Sequence, residues 1–235
     1  MPTREFTVQH DDESLKSLLV IPEGSGPFPA VLIFPQWSGR SPHEEEHAKK
    51  LAAKGYAAVA CDLYGDAKHG ETTEENQALI QPFLDDRQML RDRLKALVAA
   101  VAAMADVDAA RVAACGYCFG GLCALDLARA GGDVKAVTSF HGLLEAPDDL
   151  DAPKIRASIA IHHGWEDPMA PPEHVNKVAK ELTDRDADWY LTAYGDTFHA
   201  FTNKDAASRP DGMEYNAKAD ARSWRDFLGF LSERL

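Results

Sequence analysis

Short apolar segments alternate with longer amphipathic ones along the chain. Positions 18–22, 30–35, 57–63, 111–116, 136–141, 158–163 and 189–194 read as strands. Most are apolar at successive rather than alternate positions, as strands covered on both faces of a parallel sheet must be. Between them run stretches of helical spacing with recognisable ends. Ser41-Pro42-His43-Glu44 offers a capping box with proline at the first helical position, and Gly55 closes that helix. Thr72 with Glu75, and Asp211 with Glu214, offer two further starts of this kind. After Pro82, the residues Leu90, Leu94, Leu97, Val98, Val101 and Met104 share one face of a helix, which reads as core and not as a cofactor strip. A helix over 119–130 stops at Gly131-Gly132. Strands alternating with helices dictate right-handed crossovers and an α/β fold, with a mostly parallel sheet carrying helices on both faces. Functional groups then collect where the strands end.

Composition narrows the function classes. The chain has 235 residues, no internal repeat and no dividing linker, so one domain spanning 1–235 is expected. Apolar residues make up 45% and charged residues 27%, which argues against a disordered or fibrous chain. Lys and Arg number 25 against 38 Asp and Glu, a net charge of −13 with no basic block. Nucleic acid and anionic membrane are therefore not expected partners, because phosphate neutralisation needs clustered positive charge. No apolar run approaches the roughly 20 residues of a membrane span. The opening Met1-Pro2-Thr3-Arg4-Glu5-Phe6 lacks the apolar core of a signal peptide. Four cysteines, three of them between Cys115 and Cys123, make no disulfide framework. A cytoplasmic protein is expected. The runs Glu44-Glu45-Glu46 and Asp148-Asp149 read as solvated faces.

The sharpest local signal is Arg111-Val-Ala-Ala-Cys115-Gly-Tyr-Cys118-Phe-Gly120-Gly121, a strand, a Gly-x-Cys-x-Gly turn and a helix. This is the nucleophile-elbow pattern with cysteine at its tip. The glycines permit a sharp turn with close backbones, and the tip side chain stands at a helix N-terminus that favours an anion. Such a nucleophile needs a base, and the base needs an orienting acid, in the chain order nucleophile, acid, histidine. Of the later histidines, His174 falls within the helical Pro171-Pro172-Glu173 segment, whereas His199 follows a strand end. The acid is best placed at Asp167, directly beyond another strand end, with Glu166 as its solvent-facing neighbour.

These residues, with their surroundings, resemble the dienelactone hydrolase (carboxymethylenebutenolidase) family. The similar segments are Gly-Tyr-Cys118-Phe-Gly-Gly, Ser139-Phe-His-Gly142, His163-Gly-Trp-Glu-Asp167-Pro and Phe198-His199-Ala-Phe-Thr-Asn203. Phe34-Pro-Gln-Trp37, Tyr215-Asn and Ser223-Trp224 are similar too, so the likeness runs from about residue 17 to the C-terminus. The resemblance implies an α/β-hydrolase domain without a large lid. It implies a Cys118–His199–Asp167 triad, an oxyanion hole from the Phe119 and Trp37 backbone N–H groups, and a small ester or lactone of dienelactone type as substrate. No cofactor or metal is implied. Two departures stand out. The family often has Glu where this chain has Gln36, which can accept a hydrogen bond but cannot take a proton. Asn203 stands where an arginine clamp for a substrate carboxylate is expected, leaving Arg40, Arg87 and Arg91 as replacements or as ordinary surface charges.

A free cysteine ionises near pH 8.5, so a half-ionised thiol at pH 7 needs about 2 kcal/mol of thiolate stabilisation. A helix N-terminus supplies about 0.3–1 kcal/mol, which leaves the rest to an imidazolium partner, His199. Two other classes compete. Cys115-Gly-Tyr-Cys118 also reads as the C-x-x-C of a thiol-disulfide oxidoreductase, although it lies mid-chain with Cys115 still in the strand. A small-molecule binding protein with weakened chemistry would account for Gln36. A zinc site from Cys115, Cys118 and Cys123 lacks a fourth ligand at standard spacing. Cys61 and Cys123 read as small buried residues, and His141, His162 and His163 as packed or capping histidines.

Overall fold

The apolar segments pair edge to edge. In the computed structural model, which describes residues 1–147 and 154–235, eight strands form one sheet in the order β1-β2-β4-β3-β5-β6-β7-β8. The Asp148-Asp149 run lies outside the described residues. β3 (Phe28–Phe34), β4 (Ala57–Ala60), β5 (Val107–Tyr117), β6 (Ala136–Phe140), β7 (Ser158–Gly164) and β8 (Trp189–Tyr194) are parallel. β2 (Glu13–Val20) joins β4 antiparallel and β1 (Thr3–His10) joins β2 antiparallel. Helices α1 (Pro42–Ala52), α2 (Thr73–Asp85), α3 (Arg87–Ala102), α4 (Phe119–Arg129), α5 (Pro172–Asp184) and α6 (Ala217–Arg234) cover the sheet. Among the described residues none is long and apolar enough to cross a membrane.

Period-two alternation sorts the strand side chains between two cores. Val31, Ile33, Ala113, Cys115 and Tyr117 face α1 and α6, packing with Leu51, Phe227 and Leu231. Ala30, Leu32, Phe34, Val112 and Ala114 face α2 to α5, packing with Leu90, Leu94, Leu122 and Val178. Because both faces are covered, the inner strands are largely apolar on both sides, and the polar residues they carry, such as Thr138, Ser139 and His162, are themselves buried.

Several local expectations change. The sequence pattern missed β1: only Phe6 and Val8 are apolar in it, on the single half-buried face of an edge strand, while Thr3, Glu5, Thr7 and Gln9 are exposed. Asp211 does not start the last helix. It belongs to a 3-10 turn, Arg209–Asp211, followed by the short strand β10 (Met213–Glu214), which pairs with β9 (Ala207–Ser208). Asn216 caps α6 instead, its side chain accepting from the Lys218 and Ala219 amides. α2 continues past Pro82 to Asp85, and Asp86 caps α3 by accepting from the Met89 amide. The capping boxes at Ser41 and Thr72 form as expected. Glu44, however, is fully buried rather than solvated.

Candidate active site

β3 and β5 are neighbours, yet the chain leaves β3 for α1 on one face and β5 for α4 on the other. The two connections diverge, opening a crevice at the carboxyl ends of these strands. Gln36 and Trp37 follow β3 into it, and Cys118 follows β5. Cys118 sits at the turn with φ 56° and ψ −117°, a strained backbone that costs on the order of 1–3 kcal/mol and that packing must hold. Glycine is needed on either side. A Cβ on Gly116 would fall onto the Gly120 carbonyl, and one on Gly120 onto the Phe34 carbonyl. Gly120→Ala is accordingly expected to lower stability by about 3 kcal/mol. Urea unfolding measures this, and an unchanged midpoint would show that α4 can lift off β3 freely.

The Cys118 amide donates to the Phe140 carbonyl at 3.0 Å and to His141 Nδ1 at 3.2 Å. Since His141 accepts at Nδ1, its proton is on Nε2, which donates to Thr202 Oγ1 at 2.8 Å. Burial pushes His141 well below 6.5, with the neighbouring His199 charge acting in the same direction, so the ring stays neutral. The Thr202–His141–Cys118 chain thus ties the loop after β8 to the elbow, and the His141 ring packs edge-on against His199 with centroids 5.2 Å apart.

Asp167 and His199, on the loops after β7 and β8, are brought into contact. His199 Nδ1 lies 2.7 Å from Asp167 Oδ2, and both residues are 2% exposed. Asp167 is fixed by accepting the Met169 amide on its other oxygen at 2.8 Å. The His199 backbone is clamped to β10, donating to the Gly212 carbonyl and accepting from the Glu214 amide. With Nδ1 committed to Asp167, Nε2 is buried without a hydrogen-bond partner and is left for the cleft that Cys118 lines. Burial opposes an imidazolium here, but the Cys118 charge and the Asp167 hydrogen bond outweigh it and raise His199 to about 10. Glu166 is exposed, and His174 on α5 lies 3.3 Å from Glu145.

The cleft, of about 550 Å³, is lined by Cys118, Phe119, His199, Gln36 and Trp37 together with apolar side chains of α2 and of the loops after β6 and β7. The Trp37 loop is held from behind. Tyr64 Oη donates to the Trp37 carbonyl at 2.9 Å, and the Gln36 amide donates to Glu44 Oε1 at 3.3 Å. Burial would raise Glu44, but hydrogen bonds from His43 and Ser41 outweigh it and keep the carboxyl below its ordinary value. Glu44, His141 and Thr202 are the residues around this site that sequence reasoning missed. Glu44 looked like one of three surface acids, and His141 like a packed histidine. Only the proximity of Ser139-Phe-His to a strand end marked the latter.

The structure does not bring the three candidate arginines into the cleft. Arg40 pairs with Glu5 at 2.8 Å, Arg91 donates to Gln88 at 2.8 Å, and Arg87 pairs with the buried Asp126 at 2.7 Å. The C-x-x-C cysteines part company as well, since Cys115 is fully buried on the α1–α6 face while Cys118 packs on the other. Cys61 and Cys123 are fully buried, and burial raises both thiols above their ordinary value. Among the described residues no cluster of His, Cys, Asp and Glu could hold a metal ion.

Residues 15–235 match the model of the dienelactone hydrolase family. A dienelactone hydrolase-like promiscuous phosphotriesterase from metagenomic libraries is 34% identical, with a TM-score of 0.95 over 99% of this chain and 98% of that one. A Yersinia pestis protein named as a candidate carboxymethylenebutenolidase is 27% identical over 97% of this chain and 87% of its own. A dienelactone hydrolase from Anabaena variabilis shares the fold at 24% identity and a TM-score of 0.62, over 84% of this chain and 88% of that one. With an α/β-hydrolase sheet and a family match over nearly its whole length, this chain belongs to the dienelactone hydrolase family, enzymes that hydrolyse ester and lactone bonds.

Proposed function

We propose that the chain hydrolyses carboxylic esters or lactones through a thioester on Cys118. The observation that carries this reading is the His199–Asp167 contact, which leaves the second imidazole nitrogen unpartnered in the cleft lined by Cys118. In the first half-reaction the Cys118 sulfur attacks the carbonyl carbon, and the oxygen takes up negative charge. Phe119 and Trp37 line the same cleft, and their backbone amides are the donors assigned to receive that charge, each worth about 2.7–4 kcal/mol. Collapse of the adduct breaks the C–O bond, and the His199 imidazolium gives its proton to the leaving alcohol. In the second half, His199 takes a proton from water, which attacks the thioester and releases the acid and the thiolate.

An imidazole raised by the Cys118 charge also accounts for Gln36. His199, raised to about 10, can itself take the thiol proton, so no carboxylate is needed at position 36. The redox reading is disfavoured because Cys115 is sealed on the far side of the sheet. Four free cysteines support action in a reducing compartment such as the cytoplasm.

Trapping the intermediate tests the mechanism. Acid quenching during turnover of an activated acetate ester should leave one acyl group on the Cys118 peptide, removable by neutral hydroxylamine, after a burst of product. Prior iodoacetamide should abolish both. An acyl group on another side chain, or turnover that survives alkylation of Cys118, would remove the thioester from the mechanism.

A further inference from the structure

The family's namesake substrates would bring a carboxylate into this cleft, and apart from the catalytic His199, which is held by Asp167, the cleft offers it no positive charge. Its walls are Trp37, Ile80, Leu84, Phe119, Leu143 and Met169, and its polar positions are the neutral Gln36, Gln77, Asn203 and Ser208. Among the described residues no lysine or arginine lines it, and the one acid that does, Asp205, is negative. Lys204, between Asn203 and Asp205, is exposed and outside the lining. Arg87 lies in an adjoining recess that shares Leu84, Leu143 and Met169 with the cleft. Its guanidinium is already met by the fully buried Asp126 at 2.7 Å, so its charge is spent within the fold.

From this lining we infer that the enzyme selects uncharged esters and lactones and rejects those with a carboxylate on the acyl part. The inference rests on the Cys118 reading and adds the substrate class to it. Neutral amides can hydrogen-bond a carboxylate but cannot replace its counter-charge, and buried charges survive only when paired. Asp205 and the net charge of −13 both add repulsion. An aryl or alkyl chain instead meets the apolar surface of Trp37, Ile80, Leu84, Leu143 and Met169 and removes it from water.

Two p-nitrophenyl esters of equal chain length test this, the valerate and the monoglutarate, which differ by a terminal methyl against a terminal carboxylate. The wild-type enzyme is expected to favour the neutral ester by about 100-fold in kcat/KM. Asn203→Arg, which places a cation on the lining, should raise the glutarate-to-valerate ratio by about tenfold. Equal rates, or a preference for the glutarate in the wild type, would overturn the inference. If neither ester turns over, the thioester reading falls, and charge selection is then read by binding alone. Tryptophan fluorescence should show the neutral member of a matched pair of non-hydrolysable ketones binding more tightly. Tighter or equal binding of the carboxylated ketone would overturn the inference independently of the chemistry.

Discussion

Cys118→Ala is expected to lower kcat/KM for an activated ester by about a millionfold, because it removes the sulfur at the elbow on which the acyl intermediate is proposed to form. His199→Ala should cost nearly as much. The double variant should be no worse than either single one, since the sulfur and the imidazole act as a unit. Asp167→Asn should cost less, about 10⁴-fold, because the amide keeps the contact at Nδ1 but favours the wrong tautomer. That ranking separates chemistry from folding. Cys118 is only partly buried at the cleft, so replacing it removes little core packing, and the thermal midpoint of Cys118→Ala should stay close to that of the wild type. Activity of Cys118→Ala within tenfold of the wild type would take the sulfur out of the reaction. A double variant far worse than both singles would show that the two groups act separately.

The residues that carry this ranking were legible because each one sits next to punctuation. Glycines bracket Cys118, a Gly-x-x-Asp-Pro turn presents Asp167, and His199 follows the aromatic end of the last long strand. Turn chemistry and strand ends are local properties, so sequence reveals them. What supports those residues was not local. Glu44 is a capping-box acid whether its helix start faces water or protein. Only the fold places the Gln36 amide and His43 against it, within a fully buried pocket. Arg87 could have been a substrate clamp or a structural cation, and the choice depended on where Asp126, 39 residues away, would point. β1 escaped notice because an edge strand needs only one half-buried face, which two apolar residues satisfy. The Asp211 start failed for the opposite reason. Asp211-x-x-Glu214 matches a cap by composition, but the β9–β10 ribbon that clamps His199 claims Met213 and Glu214. Helix stops and turns are written in single residues, whereas burial and pairing are properties of two distant segments at once.

Mild acid is expected to unfold this protein, and three buried histidines are the cause. Burial, helped by nearby positive charge from His43 and Lys50, lowers His47 to about 3. Burial lowers His162 to about 4 and His141 well below 6.5. In the unfolded chain each ring takes a proton near pH 6.5. Below that value the unfolded state binds more protons than the native state, so stability falls as pH falls, by about 1.4 kcal/mol per pH unit for each ring that stays neutral. From pH 7 to pH 5 the loss is about 5–6 kcal/mol, comparable to the whole stability of many domains. His199 does not offset it. Its raised value means that native and unfolded states are both protonated below 6.5, and its contribution is lost only as pH rises from there toward 10. Glu44, held low, steepens the acid limb further below the ordinary carboxyl range. Urea unfolding at pH 7.0 and 5.0 measures the difference. His47→Gln, which can still donate to the His43 carbonyl that His47 Nδ1 now meets at 2.8 Å, should remove about a third of the slope whatever it does to the absolute stability. Equal stability at the two pH values would mean that these rings gain protons in the native state and that the interior around them is wet.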